Sequence, residues 1–259
     1  VESKGHIQGS KYPELTGLME AGEPVCVTFE PEIGKEVPEI GKEVPEIEEK
    51  IEEEEEEKAG EGEPERKGEP ERKGEPERAE KSDFLFCELV HKARFGKTFR
   101  ISGQRCSPGD YVLGLSEESP AAYYLKSGRY RDAEAAEKAA RALPRLDKEF
   151  CSISIEPLSR NRDSFDVLIL FLKPEKAMRI VQSNAYSKGE RAKLDTLGAA
   201  SVCGDCTVLA LREGLGLSFG CKGSRKHSGY EDFEVPLGIS FEKVKEIEDG
   251  LSRLPGTRA

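Results

Sequence analysis

Apolar positions along this chain fall into short runs with two different spacings. Residues 24–29, Pro24 to Phe29, are mostly β-branched or aromatic and predict a buried strand. Residues 151–156 alternate, which predicts a half-buried strand with Cys151, Ile153 and Ile155 facing inward. Residues 165–172 are almost wholly apolar and predict a central strand, with further strands at 98–102, 215–219 and 235–239. A spacing of three to four residues marks helices at 84–95, 132–143, 174–186 and 241–252. Met178, Val181 and Ala185 are expected on the inner side of the third, and Phe241, Val244, Ile247 and Leu251 on one face of the last, with Ser240 as its cap. A short helix over 12–21 has Pro13 in its first turn, and residues 111–115 continue as helix after a turn at 105–110. Strands and helices interleave without strict alternation. The pattern predicts an α+β domain with a mixed sheet and flanking helices.

Residues 32–82 break this pattern. They repeat two units, one running from Glu32 to Pro38 and again to Pro45, the other built on Gly-Glu-Pro-Glu-Arg and beginning at 62, 68 and 74. Ile33, Val37, Ile40, Val44, Ile47 and Ile51 keep coiled-coil spacing, but Pro38 and Pro45 would each cost about 3 kcal/mol inside a helix. The segment holds 21 Glu, no Asp and ten Lys or Arg, so it accounts for the whole formal charge of −11. With eight apolar residues and no aromatic one it cannot offset ordering costs of about 1 kcal/mol per residue, and it is expected to be a disordered acidic insert that a basic partner could engage. The domain is thus expected to comprise residues 1–31 and 83–254, with a tail at 255–259. Its balanced charge excludes a global bias towards nucleic acid, and no apolar run approaches the ~18 residues of a membrane span. The first residues lack an apolar signal region, so a cytoplasmic location is expected.

Seven cysteines without an export signal point to reduced thiols or metal ligands rather than a disulfide framework. Cys26 and Cys151, inside strands, read as core residues. Cys87, Cys106, Cys203, Cys206 and Cys221 remain, the last four near Gly or Pro as in ligand loops. Cys203 and Cys206 form a lone Cys-x2-Cys pair, which has the spacing of a dithiol but lacks the partner pair of a zinc ribbon. Residues 220–227 form a glycine-rich basic turn in which Lys222 and Arg225 could contact an anion or cofactor, although the spacing is not that of a phosphate loop. His91 and His227 read as surface or satisfied core histidines, and Asp163, Asp166 and Asp205 as turn or strand-end residues.

Pro24 to Phe29, Phe86-Cys87, Cys106 to Gly109, Tyr111 to Leu115, Pro174 to Met178, Cys203 to Asp205, Ser218 to Arg225 and Pro236 to Ile239 occur in this order. As a set they resemble the uncharacterised ArCR family of archaea and anaerobic bacteria, over residues 12–31 and 83–254. The resemblance implies no activity. It does imply that Cys87, Cys106, Cys203 and Cys221 form the thiol set, since family members often carry Ala or Ser at the position of Cys206. Four such thiols match the ligand number of an iron–sulfur cluster or zinc, in a redox or accessory role. The alternatives are a metal-free small-molecule or anion-binding domain and a thiol-based redox enzyme. Whether the protein is an enzyme at all stays open at this level.

Overall fold

The computed structural model describes residues 11–31, 80–147, 150–161 and 164–255. Most of the acidic insert, residues 32–79, therefore lies outside the described residues, as do Asp163 and the tail from 256 onward. All the described residues belong to one compact unit.

Strands β1 (Val25–Glu30), β2 (Glu80–Lys81), β3 (Phe99–Gly103), β4 (Ser152–Pro157), β5 (Val167–Leu172), β6 (Leu215–Leu217) and β7 (Val235–Ser240) form one sheet in the order β2-β3-β4-β1-β5-β7-β6. Every pairing is antiparallel except β2 with β3, so the sheet is mixed, as the pattern predicts. Strand β2 lies within the span expected to be disordered. Its backbone instead extends the sheet edge, and Ser82 N–H continues the ladder to the Gly103 carbonyl.

Both faces of the sheet are covered, which explains why β5 is buried along its whole length. Alternate residues of β1, Val25, Val27 and Phe29, join Ile153, Ile155, Val167, Ile169 and Phe171 on one face. Helices α2 (Phe86–Ala93), α3 (Ser107–Val112), α4 (Ala121–Lys126) and α5 (Ala133–Arg141) contribute to that core. Cys26, Leu168, Leu170, Leu172, Leu237 and Ile239 point the other way, towards α1 (Pro13–Gly17), α6 (Pro174–Ala185) and α9 (Phe241–Arg253). Fully burying a side chain of this size contributes about 1.5–3 kcal/mol, so the two faces of β5 alone weigh heavily in the fold.

Three local expectations are corrected. Cys151 is exposed, because β4 begins one residue later and the strand's alternation does not reach it. Phe150 fills that place instead, its ring 4.8 Å from that of Phe29. On α6 the buried stripe is Ala177, Ile180 and Ser183, and Met178 is 43% exposed. The small residues win because α6 and α9 approach closely: Ser183 Oγ donates to the Ile247 carbonyl at 2.6 Å, beside Gly250. On α9, Val244, Ile247 and Leu251 are buried while Phe241 stays 40% exposed, its ring edge-on to Phe165, and Ser240 occupies the cap position without a side-chain bond. Helix α4 carries no signal strong enough to predict it from the sequence.

Candidate functional site

A π-helix (Ser201–Val208) carries the Cys-x2-Cys pair and continues into α7 (Leu209–Glu213). Its entry residue, Ala200, has φ 51°, the single left-handed residue other than glycine among those described. The Ala200 carbonyl accepts from both Gly204 N–H (2.6 Å) and Asp205 N–H (3.2 Å), and Thr207 Oγ1 donates to the Val202 carbonyl at 2.7 Å. All eight π-helix residues are buried. The wide turn sits directly on the sheet because Gly216 and Gly238 present bare backbone there. A Cβ on Gly216 would overlap the Asp205 carbonyl oxygen. Asp205 anchors the turn with its side chain, accepting from Thr196 and Ser218 hydroxyls, each at 2.6 Å. Burial raises its carboxyl to about 6, against those two hydrogen bonds.

This turn faces α2, α3 and α8 (Lys222–His227) across a cavity of about 420 Å³. Its wall includes Cys87, Cys106, Cys203 and Cys221, so thiols from four separate segments line one cavity. Cys87 is the second residue of α2, Cys106 and Cys221 are the N-cap residues immediately before α3 and α8, and Cys203 lies in the π-helix. Cys206 points away: its thiol donates to the Pro236 carbonyl at 3.2 Å, and it does not line the cavity. Cys26 is in the core on the opposite side of the sheet.

Burial pushes the Cys87 thiol up to about 12 and the Cys106 thiol to about 11, and holds Cys203 well above its ordinary value. The charge that the other cavity thiols would carry adds to each rise. Cys221 differs. Burial pushes it up too, but N–H and hydroxyl groups of Ser224 and Ser201 outweigh burial and leave it below the ordinary thiol value. Ser224 N–H reaches the Cys221 sulfur at 3.4 Å, and Ser224 Oγ accepts from Cys221 N–H at 2.9 Å. Ser228 faces the Cys87 sulfur closely enough to lower its pKa, yet its hydroxyl makes no hydrogen bond of ordinary geometry.

Among the described residues, the cavity wall contains Arg105, Arg129 and His227 and no carboxylate. Lys222 and Arg225 are not part of it. Lys222 is exposed, and the Arg225 guanidinium is occupied by the Phe219, Glu231, Asp232 and Glu234 carbonyls. Arg225 therefore ties together the loop that carries Cys221. Arg94 braces the same loop from α2, donating to both Glu234 carboxylate oxygens at 3.0 and 2.8 Å. His91 packs among the rings of Phe95, Phe171 and Tyr230, while His227 borders the cavity. Sequence reasoning gave no role to Ser201, Ser224, Gln104 or Arg129: Ser224 sits unremarked in the basic turn at 220–227, and Gln104 and Arg129 belong to no local motif. Among the described residues, no three of His, Cys, Asp and Glu come together as holders of a metal ion.

A model of the uncharacterised ArCR proteins matches residues 22–250. An uncharacterized protein of Methanocaldococcus jannaschii is 29% identical over 174 residues, covering 64% of this chain and 75% of that protein. No solved structure matches the chain. Among the described residues, no helix is long and apolar enough to cross a membrane.

Proposed function

The chain belongs to the uncharacterised ArCR family, and from that premise we propose that its cavity holds an iron–sulfur cluster on Cys87, Cys106, Cys203 and Cys221, in a redox or accessory role. One observation carries the reading: these four thiols, separated by up to 134 positions in the chain, line the same cavity. A four-iron cluster gives each thiolate its own iron, so its ligands stand around the cluster rather than on a single ion. That arrangement suits four sulfurs spread over a cavity wall better than a lone zinc, which draws its ligands into one tetrahedron.

The electrostatics favour the same reading. Cys87, Cys106 and Cys203, partly or fully buried, resist ionising because of desolvation and the charge of the other cavity thiols, and bound iron would supply the positive charge that offsets both. Arg105 and Arg129 on the same wall compensate a site that is anionic once its thiolates are formed.

Anaerobic reconstitution with iron and sulfide tests this. The expected product is brown with broad visible absorption, and loses iron when any of the four cysteines is changed to Ser. Cys26→Ser and Cys151→Ser should retain it. Folded protein that takes up neither iron nor sulfide would sink the proposal. It would favour a second reading that rests on the cavity's volume, a metal-free small-molecule pocket with thiols in its wall.

A further inference from the structure

We propose that the same cavity contains a subsite for a small carboxylate, held by the Arg129 guanidinium and the Gln104 side-chain amide. Gln104 is 2% exposed. Its Oε1 accepts from Phe86 N–H at 2.6 Å, which settles which end of the amide is which, and its Nε2 is then a buried donor with no partner. Asp110 Oδ1 accepts from Gln104 N–H at 2.9 Å, so the residue is held at backbone and side chain alike. Gly109 leaves the space that the amide occupies, since a Cβ there would crowd Nε2 and the amide carbon.

Arg129 lies between α4 and α5 and also lines the cavity. Its guanidinium stands over the Tyr123 ring at 5.1 Å and the Tyr124 ring at 5.7 Å, and Nη2 reaches Tyr123 Oη at 3.3 Å. These contacts orient it but leave Nε buried and without a partner. The positive charge bears on Cys106, two residues beyond Gln104. Buried donors left unpaired are destabilising, so two in the lining of one cavity mark a place built to be met by acceptors.

The donors define the ligand class. A guanidinium and a neutral amide donor, with no carboxylate among the described residues of the wall, suit a carboxylate group, whose two oxygens both accept. Leu85, Phe86, Pro108 and Val202 supply the apolar surroundings that strengthen such bonds and accommodate a short carbon chain. The proposal does not depend on what the thiols hold, because neither donor is a thiol.

Titration of the full chain with acetate, succinate and inorganic phosphate, against chloride at constant ionic strength, tests it by calorimetry. The measurement is made on iron-free and on reconstituted protein. Acetate or succinate should bind saturably, and Arg129→Met should weaken binding at least tenfold. Gln104→Glu keeps the acceptor for Phe86 N–H but replaces the donor with an oxygen, and should weaken binding as much. Equal urea midpoints for variants and parent separate lost binding from lost folding; a variant that fails to fold is replaced by Arg129→Lys, for which weakened binding is expected. Carboxylate binding no stronger than chloride in both forms, or unchanged in the Arg129 variant, overturns the proposal, as does saturable binding of phosphate alone. Arg129-dependent carboxylate binding by protein that takes up no iron would uphold this subsite while the cluster reading fails.

Discussion

A side chain on Gly238 would overlap the carbonyl oxygen of Cys206, so β7 and the π-helix meet backbone to backbone. The thiol of Cys206 closes the same contact by donating to the carbonyl of Pro236, two residues along β7. Cys203, three residues earlier, is thereby placed at the cavity wall. Gly238→Ala must either push the π-helix off the sheet or break the strand pairing with β5 and β6. The expected loss is at the upper end of the ~1–3 kcal/mol typical of overpacking, because the obstacle is backbone. Urea unfolding measures it, and a folded Gly238→Ala protein should also bind less iron on reconstitution.

Arg94 and Glu234 form a two-pronged ion pair with side chains 2% and 3% exposed. Removing one member leaves a buried charge alone, so Arg94→Met should cost about 3–5 kcal/mol, and adding Glu234→Gln should recover part of that loss. Burial alone would raise the Glu234 carboxyl, but hydrogen bonds from Arg94 and Glu231 N–H hold it below the ordinary value. A depressed folded value contributes stability above the unfolded pKa of about 4.5 that disappears as pH falls through the folded one. Unfolding midpoints of the parent and Glu234→Gln should therefore converge on acidification. Midpoints that keep a constant separation from pH 7 down to 3 would contradict the assignment.

Asp166 behaves oppositely. Its Oδ2 accepts from Phe29 N–H at 2.6 Å, yet burial outweighs that bond and raises the carboxyl. A raised folded value means stability fully present below the unfolded pKa of about 3.9 and lost as pH rises through the folded one. Asp166→Asn keeps an acceptor for Phe29 and does not ionise. The parent should lose stability relative to this variant as pH is raised from 4 towards neutrality, read from paired denaturant midpoints at each pH.

Cys151 is the exposed thiol, while Cys26 and Cys206 are completely buried. Brief alkylation of the native iron-free protein should label Cys151 first, the cavity thiols more slowly, and Cys26 and Cys206 only after unfolding. Peptide mass mapping over a time course checks the order. Early labelling of Cys206 would mean that the π-helix is not seated on the sheet.

Most strands and helices were legible because their signals are local. The unbroken apolar run of β5 has room only at the centre of a sheet covered on both faces, and Gly and Pro mark the ends of α2 and α6. The errors have separate causes. The alternation that predicts Cys151 inward stops one residue short of it, the close approach of α9 turns the small face of α6 inward and leaves Met178 out, and β2 reads as part of an acidic stretch because its edge pairing needs no apolar residues. The π-helix had no legible signal, since what selects it is the bare backbone of Gly216 and Gly238 on strands that come later in the chain.

For the thiols the division is sharper. Spacing alone singled out the pair Cys203 and Cys206, whereas resemblance set Cys206 aside in favour of Cys87, Cys106 and Cys221. Tertiary structure supplies the physical reason that spacing could not: in a π-helix fixed on one side by backbone contact, Cys203 faces the cavity and Cys206 faces β7. It also places Arg129 and Gln104 in the lining of the cavity that the sulfurs share, and Lys222 and Arg225 outside that lining. A sequence reveals which residues can bear charge, but which of them keeps an unmatched donor depends on the carbonyls the fold brings to it. Arg225 meets four such carbonyls, and Arg129 Nε meets none.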